Sequence, residues 1–127
     1  MKALGIDYGT KKIGIAVSSE NGELAFPYGV YENDEKFLDT LEAIFTKEKI
    51  SEVVIGKSLN FKRIPNKIMS DINALKLKIE HKHSLPVFLI DETFTTKEAE
   101  RIQGKHKKID ASAAALILST HLDQKKN

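Results

Sequence analysis

Apolar residues alternate with small or polar ones at the start of the chain. Leu4 and Ile6 share one parity, and Ile13, Ile15 and Val17 alternate with Gly14, Ala16 and Ser18. This period of two predicts a pair of strands around the turn Tyr8-Gly9-Thr10-Lys11. Glu20-Asn21-Gly22-Glu23 contains the Asn-Gly pair favoured in tight hairpin turns, and Leu24 to Tyr31 reads as a third strand, giving an antiparallel meander. Pro27 cannot donate to a ladder, so this third strand is expected at the sheet edge. From Asn33-Asp34 the period lengthens: Phe37, Leu38, Leu41, Ile44 and Phe45 form one helical stripe, with Asn33 or Asp34 as N-cap and an end near Glu48.

The second half alternates between the two periods. Val53-Val54-Ile55, stopped by Gly56, predicts a strand buried on both faces. Lys57 to Asn66 shows no period and is expected to be a loop, after which Ile68, Ile72, Leu75 and Ile79 recur at helical spacing. Ser84-Leu85-Pro86 leads into the strand Val87-Phe88-Leu89-Ile90. Thr95 and Glu98 fit a capping box that opens a short helix to about Gln103, with Gly104 as its stop. A last helix follows from Asp110, with Ala114, Leu118 and Leu122 on one side, and Asp123 to Asn127 is expected to fray.

The order β-β-β-α-β-α-β-α-α predicts an α/β fold: a mixed five-stranded sheet, antiparallel in strands one to three and parallel afterwards, with helices packed on it. Right-handed crossovers set the strands beginning at Met1, Val53 and Val87 side by side. Asp7 and Asp91-Glu92 then share the carboxyl end of neighbouring strands, where open sheets tend to bind ligands. Alternation sends successive residues to opposite faces, so one of Asp91 and Glu92 joins Asp7, and Glu92 is the favoured one.

Composition narrows the classes. A chain of 127 residues suits a single domain, residues 1–127, with one core. Hydrophobic residues at 41% and charged residues at 30% fit a globular protein. The net charge of +2 says little by itself, so any nucleic-acid argument rests on where the basic residues stand. The chain has no cysteine, which excludes disulfides, thiolate metal sites and thiol nucleophiles, and fits a reducing compartment. No apolar run nears the roughly 20 residues of a membrane helix, so no membrane partner and a cytoplasmic location are expected.

Three carboxylates adjoin apolar elements: Asp7, Glu92 and Asp110. Converging, they would supply the oxygen ligands that Mg²⁺ or Mn²⁺ takes in phosphodiester hydrolysis. Asp7 also suits a turn or cap, and Asp110 an N-cap. Basic residues stand near them: Lys11 and Lys12, then Lys57, Lys62 and Arg63 with Asn60, then Lys105, Lys107 and Lys108. They are either a solvated surface or contacts to a phosphate backbone beside the metal. His81, His83, His106 and His121 lack zinc spacing and read as surface or helix-end residues, while Phe61 and Phe94 suit core packing or base stacking.

Four blocks carry a resemblance. Gly5-Ile-Asp-Tyr-Gly-Thr-Lys-Lys-Ile-Gly-Ile-Ala16, Val54-Ile-Gly-Lys-Ser-Leu-Asn60, Asp91-Glu-Thr-Phe-Thr-Thr-Lys-Glu-Ala-Glu100 and the run Ile109 to Leu122 resemble, in order, the blocks of the YqgF family of RNase H-like nucleases. The resemblance implies an RNase H-like fold, a divalent metal, and Asp7, Glu92 and Asp110 as the acidic positions. It also implies maturation of the 5′ end of 16S ribosomal RNA, or cleavage of junction DNA, with a ribosomal particle as partner and a monomer or homodimer as the active unit. This chain departs from the family pattern in Thr93, where an arginine is usual, and in Lys57-Ser58 and Phe61 to Pro65. Two other classes stay open on the residues alone. One is a nucleic-acid-binding assembly module without catalysis. The other is an ATPase lobe, because Ile6-Asp-Tyr-Gly-Thr10 also resembles the phosphate loop of the actin, Hsp70 and hexokinase superfamily.

Overall fold

The alternation near the N-terminus becomes strands β1 (Lys2–Tyr8) and β2 (Lys12–Ser18), joined by Gly9 to Lys11 and paired antiparallel with Ile6 opposite Ile15. The computed structural model describes the backbone of residues 2–58, 66–92 and 109–126, and the side chains of 2–56, 67–90 and 113–125. Strand β3 (Ala25–Glu32) completes the meander. Helix α1 (Phe37–Glu48), strand β4 (Ile50–Ser58), helix α2 (Asn66–His83), strand β5 (Val87–Glu92) and helix α3 (Ile109–Lys126) come next along the chain. The strand order is β3-β2-β1-β4-β5, so β1, β4 and β5 are parallel neighbours as the crossover rule requires.

β3 is an edge strand, which accommodates Pro27. Its register slips between Ile15 and Ala16, whose partners are Gly29 and Pro27, leaving Tyr28 as the extra residue of a bulge. The Tyr28 hydroxyl donates to Glu48 Oε2 at 3.2 Å, and Lys2 Nζ donates to Glu48 Oε1 at 2.9 Å. One carboxylate thus ties β3 and β1 to the end of α1.

Four expectations need correction. Helix α1 begins at Phe37 after Lys36, with no side-chain cap; Asp34 instead forms a turn ahead of it, its Oδ1 accepting from the Lys36 N–H at 2.9 Å. Gly56 does not stop β4, which runs to Ser58, because a glycine there makes room for Ile117 of α3: a Cβ would lie 2.2 Å from Ile117 Cδ1. The expected loop from Lys57 is therefore strand at Lys57-Ser58, and Asn66 opens α2. The tail is helical to Lys126, with Lys125 Nζ held on Glu52 at 2.9 Å. The capping box Thr95/Glu98, its helix to Gln103, and the stop Gly104 lie outside the described residues.

Helices lie on both faces of the sheet. Leu4, Ile6, Ile13, Ile15, Val53 and Ile55 pack against Phe37, Leu41 and Phe45 of α1 and Ile72 and Ile79 of α2. On the other face Ala3, Ala16, Val54 and Ile90 meet Ala114, Ile117, Leu118 and Leu122 of α3. Val53 and Val54 thus point into different cores, which is why that run shows no alternation.

Candidate active site

Asp7 is the next-to-last residue of β1 and is half-buried. Its parity follows Ala3 and Gly5, so it belongs to the face covered by α3, whereas Tyr8 packs with the α1/α2 core. Asp7 is level with Gly56 on β4, and Gly56 with Ile90 on β5. Two residues further on, Ser58 pairs with Glu92. Ile90 is in the α3 core, and Glu92 shares its parity. The strand positions of Asp7 and Glu92 are therefore on one face at the carboxyl ends of parallel strands, and that of Asp91 is on the other.

Helix α3 brings the position of Asp110 toward the same end. A Cβ at Gly5 would lie 2.9 Å from the Ala114 carbonyl oxygen and 2.9 Å from Leu118 Cβ, so α3 rests directly on β1. Leu122 lies with Ala3, Ala114 and Leu118 over Gly5, and the helix runs back along the strand. Asp7 stands about 6.6 Å beyond Gly5 at ~3.3 Å per strand residue. That is about four residues of helix at ~1.5 Å each, which carries the first turn of α3, with Asp110, to the level of Asp7. Because α3 starts at Ile109, Asp110 sits inside the first turn rather than ahead of it. The helix N-terminus, with its partial positive charge, lies toward the carboxyl end of β1.

The basic residues divide. Lys12 has the parity of Gly14 and Ala16, hence the face of Asp7, and is exposed; Lys11 is exposed in the turn beside it. The strand position of Lys57 pairs with that of Asp91 and belongs to the α1/α2 face. Asn60, Lys62, Arg63, Lys105, Lys107 and Lys108, with Phe61, Thr93, Phe94 and His106, lie outside the described residues. Among the described residues no three His, Asp or Glu side chains gather, and of the three carboxylates only that of Asp7 is in that set.

Two features escaped the sequence reading. Asn33, read as a cap, holds the turn after Asp7: its Nδ2 donates to the Gly9 carbonyl at 2.8 Å and its N–H to the Lys11 carbonyl at 2.9 Å. His121, read as a surface or helix-end residue, is buried, its Nε2 donating to Glu52 Oε2 at 3.0 Å while its ring lies 4.9 Å from that of Phe88. Burial pushes the pKa of Glu52 up, but hydrogen bonds from Lys125 and His121 outweigh it and hold the carboxyl below its ordinary value. The network pins the far end of α3 to the start of β4. The signal was present: 114, 117, 118, 121 and 122 make one helical stripe. His83 is at a helix end as expected, 3.1 Å from Glu42 Oε2.

The family model described as RuvX, Holliday junction resolvase, matches residues 1–124. The chain belongs to the RuvX (YqgF) family. Relatives named "Putative pre-16S rRNA nuclease" agree along nearly the whole length. That of Maridesulfovibrio salexigens is 35% identical over 133 residues, covering 96% of this chain and 98% of its own. That of Geobacillus thermodenitrificans is 36% identical over 140 residues, covering 99% and 100%. RuvX proteins are nucleases, and this membership separates the chain from the ATPases that share an Asp-Tyr-Gly-Thr turn. In fold it resembles Thermus thermophilus RuvC, solved with a Holliday junction substrate (TM-score 0.69, 14% identity, 100% of this chain and 97% of that one). It also resembles the fowlpox virus resolvase, solved with junction DNA (TM-score 0.62, 14% identity, 100% of both chains). These establish an RNase H-like sheet.

Proposed function

We propose that the chain is a metal-dependent endonuclease that cuts structured RNA, in particular precursor 16S ribosomal RNA, with Asp7, Glu92 and Asp110 as its catalytic and metal-holding residues. The observation that carries this reading is the register of β1, β4 and β5, which sets the strand positions of Asp7 and Glu92 on one face at one end, the face covered by the helix that has Asp110 in its first turn. The donor set fits a hard divalent cation: three carboxylates, whose oxygens are the ligands such an ion takes. Mg²⁺ or Mn²⁺ bound there supplies a water of lowered pKa and offsets charge on the leaving oxygen.

The residues of the chain do the rest. Asp7, held in a strand between β2 and β4, provides an oxygen at a fixed place, because a central strand cannot shift without breaking two ladders. Lys11 and Lys12 hold the phosphate backbone on the solvent side of the centre. Asn60, Lys62, Arg63, Lys105, Lys107 and Lys108 extend that contact along the nucleic acid, and these residues together with Thr93 set the choice of substrate. The N-terminus of α3 favours the anionic phosphate at the same end.

The test compares wild type with Asp7→Asn on precursor ribosomal RNA and on a four-way DNA junction, each with Mg²⁺, with Mn²⁺ and with chelator. Cleavage of the RNA by wild type alone, abolished by chelator, is the expected result. Cleavage of the junction and not the RNA would reassign the substrate, and two symmetric cuts would require a dimer. Salt-sensitive binding without cleavage under any metal would make the chain a binding module.

A further inference from the structure

The turn after Asp7 is short and held from outside. Residues Gly9 to Lys11 join β1 to β2, and a Cβ at Gly9 would lie 2.5 Å from the Lys12 carbonyl oxygen, so the turn is folded tightly on itself. Asn33 spans it. Its amide Nδ2 donates to the Gly9 carbonyl at 2.8 Å, and its backbone N–H donates to the Lys11 carbonyl at 2.9 Å. One residue therefore grips both ends of the turn. Two backbone hydrogen bonds fix Asn33 in turn: the Asp34 N–H donates to the Glu32 carbonyl at 3.1 Å, and the Phe37 N–H to the Asp34 carbonyl at 3.1 Å. Phe37 is 5% exposed, which anchors this segment in the main core.

We propose that Asn33 is a positioning residue of the nuclease centre: it sets the distance between Asp7, which precedes the turn, and the lysines Lys11 and Lys12, which end it. This rests on the reading of Asp7 as a residue of the centre. The side chain must donate to meet the Gly9 carbonyl, as the Asn33 amide does; a carboxylate of the same size would face it with a second acceptor. Asn33 need not touch the nucleic acid. Its role is to hold the phosphate-binding cations in step with the carboxylate that acts on the same phosphate. Misplacing reacting groups by about an ångström costs roughly a hundredfold in rate, while diffuse attraction between lysines and a polyanion changes little.

The experiment uses the full chain with Mg²⁺ and whichever of the structured RNA or the four-way junction wild type cuts. Asn33→Asp is expected to lower kcat by about 10- to 100-fold with KM within about threefold of wild type. In a Lys11→Ala/Lys12→Ala background the same change is expected to cost much less, a non-additivity that a purely structural role would not show. Trypsin supplies a readout without catalysis: nicking after Lys11 or Lys12 is expected to quicken about tenfold, the signature of local opening. Should Asn33→Asp fail to fold, Asn33→Ala, which deletes the amide without adding charge, carries the same measurements. Wild-type kcat with wild-type nicking in a folded variant overturns the proposal, as does a loss confined to KM. Asp7→Asn, run alongside, separates the two readings. If it cuts at the wild-type rate, the assignment of the centre fails; if it is inert while Asn33→Asp is unimpaired, only the positioning role fails.

Discussion

Under α1 and α2 the sheet presents large side chains, Leu4, Ile6, Ile13, Ile15, Val53 and Ile55, all fully buried. Under α3 it presents Ala3, Gly5, Ala16 and Gly56, with Val54 and Ile90 as the larger members. Both faces belong to the same strands, so the contrast lies wholly in which parity carries bulk. Large side chains on one parity bury the most apolar area and stabilise the fold. Small ones on the other let a helix backbone approach until Leu118 and the Ala114 carbonyl press on Gly5. The thick face supplies stability, and the thin face brings the start of α3 to the strand ends where the chemistry is proposed.

Substitutions should separate the two. The largest effect is expected at the proposed centre: Glu92→Gln or Asp110→Asn should cut turnover about a thousandfold or more while the urea midpoint stays near wild type. On the thick face, Ile72→Ala should cost about 2–5 kcal/mol of stability by leaving a cavity, with turnover unchanged at temperatures where the variant is folded. Equal loss of turnover there would erase the distinction. Gly5→Ala lies between them. Its methyl meets backbone as well as side chain, so overpacking should cost about 1–3 kcal/mol and, by lifting α3 off β1, reduce turnover as well. An unfolding curve and a rate at permissive temperature test both halves.

The smallest effect is expected at the far end of α3. Glu52 has its pKa lowered in the folded protein, with burial opposing and the Lys125 and His121 hydrogen bonds prevailing. A depressed carboxyl contributes stability that is present above its unfolded pKa and lost as the pH falls through the folded value. Glu52→Gln should cost about 1–3 kcal/mol at neutral pH. The gap from wild type should narrow as the pH falls below the ordinary glutamate range and close once it has passed below the lowered folded value, as measured by urea unfolding across pH.

Much of this was legible in the residues. The meander, the edge position of β3 from Pro27, the parallel set β1, β4, β5 and the placement of Asp7 and Glu92 at one end all stem from period, turn chemistry and crossover handedness. The misreadings share one cause. Gly56 looks like a strand stop because a missing side chain carries no sign of what fills the space, and only α3 overhead shows that Ile117 does. Asn33 looks like a cap because its partner is far away in sequence, across the meander. His121 looks exposed because polarity argues against burial until Glu52 and Phe88 are found beside it.

By itself, then, the sequence determined the elements, their order, the edge, and the family to which the chain belongs, because these rest on local periodicity and on short motifs. Tertiary structure alone decided how closely α3 sits on β1, which polar residues are buried, and which amide braces the turn after Asp7. Those depend on contacts between residues distant along the chain, and the identity of one partner does not name the other.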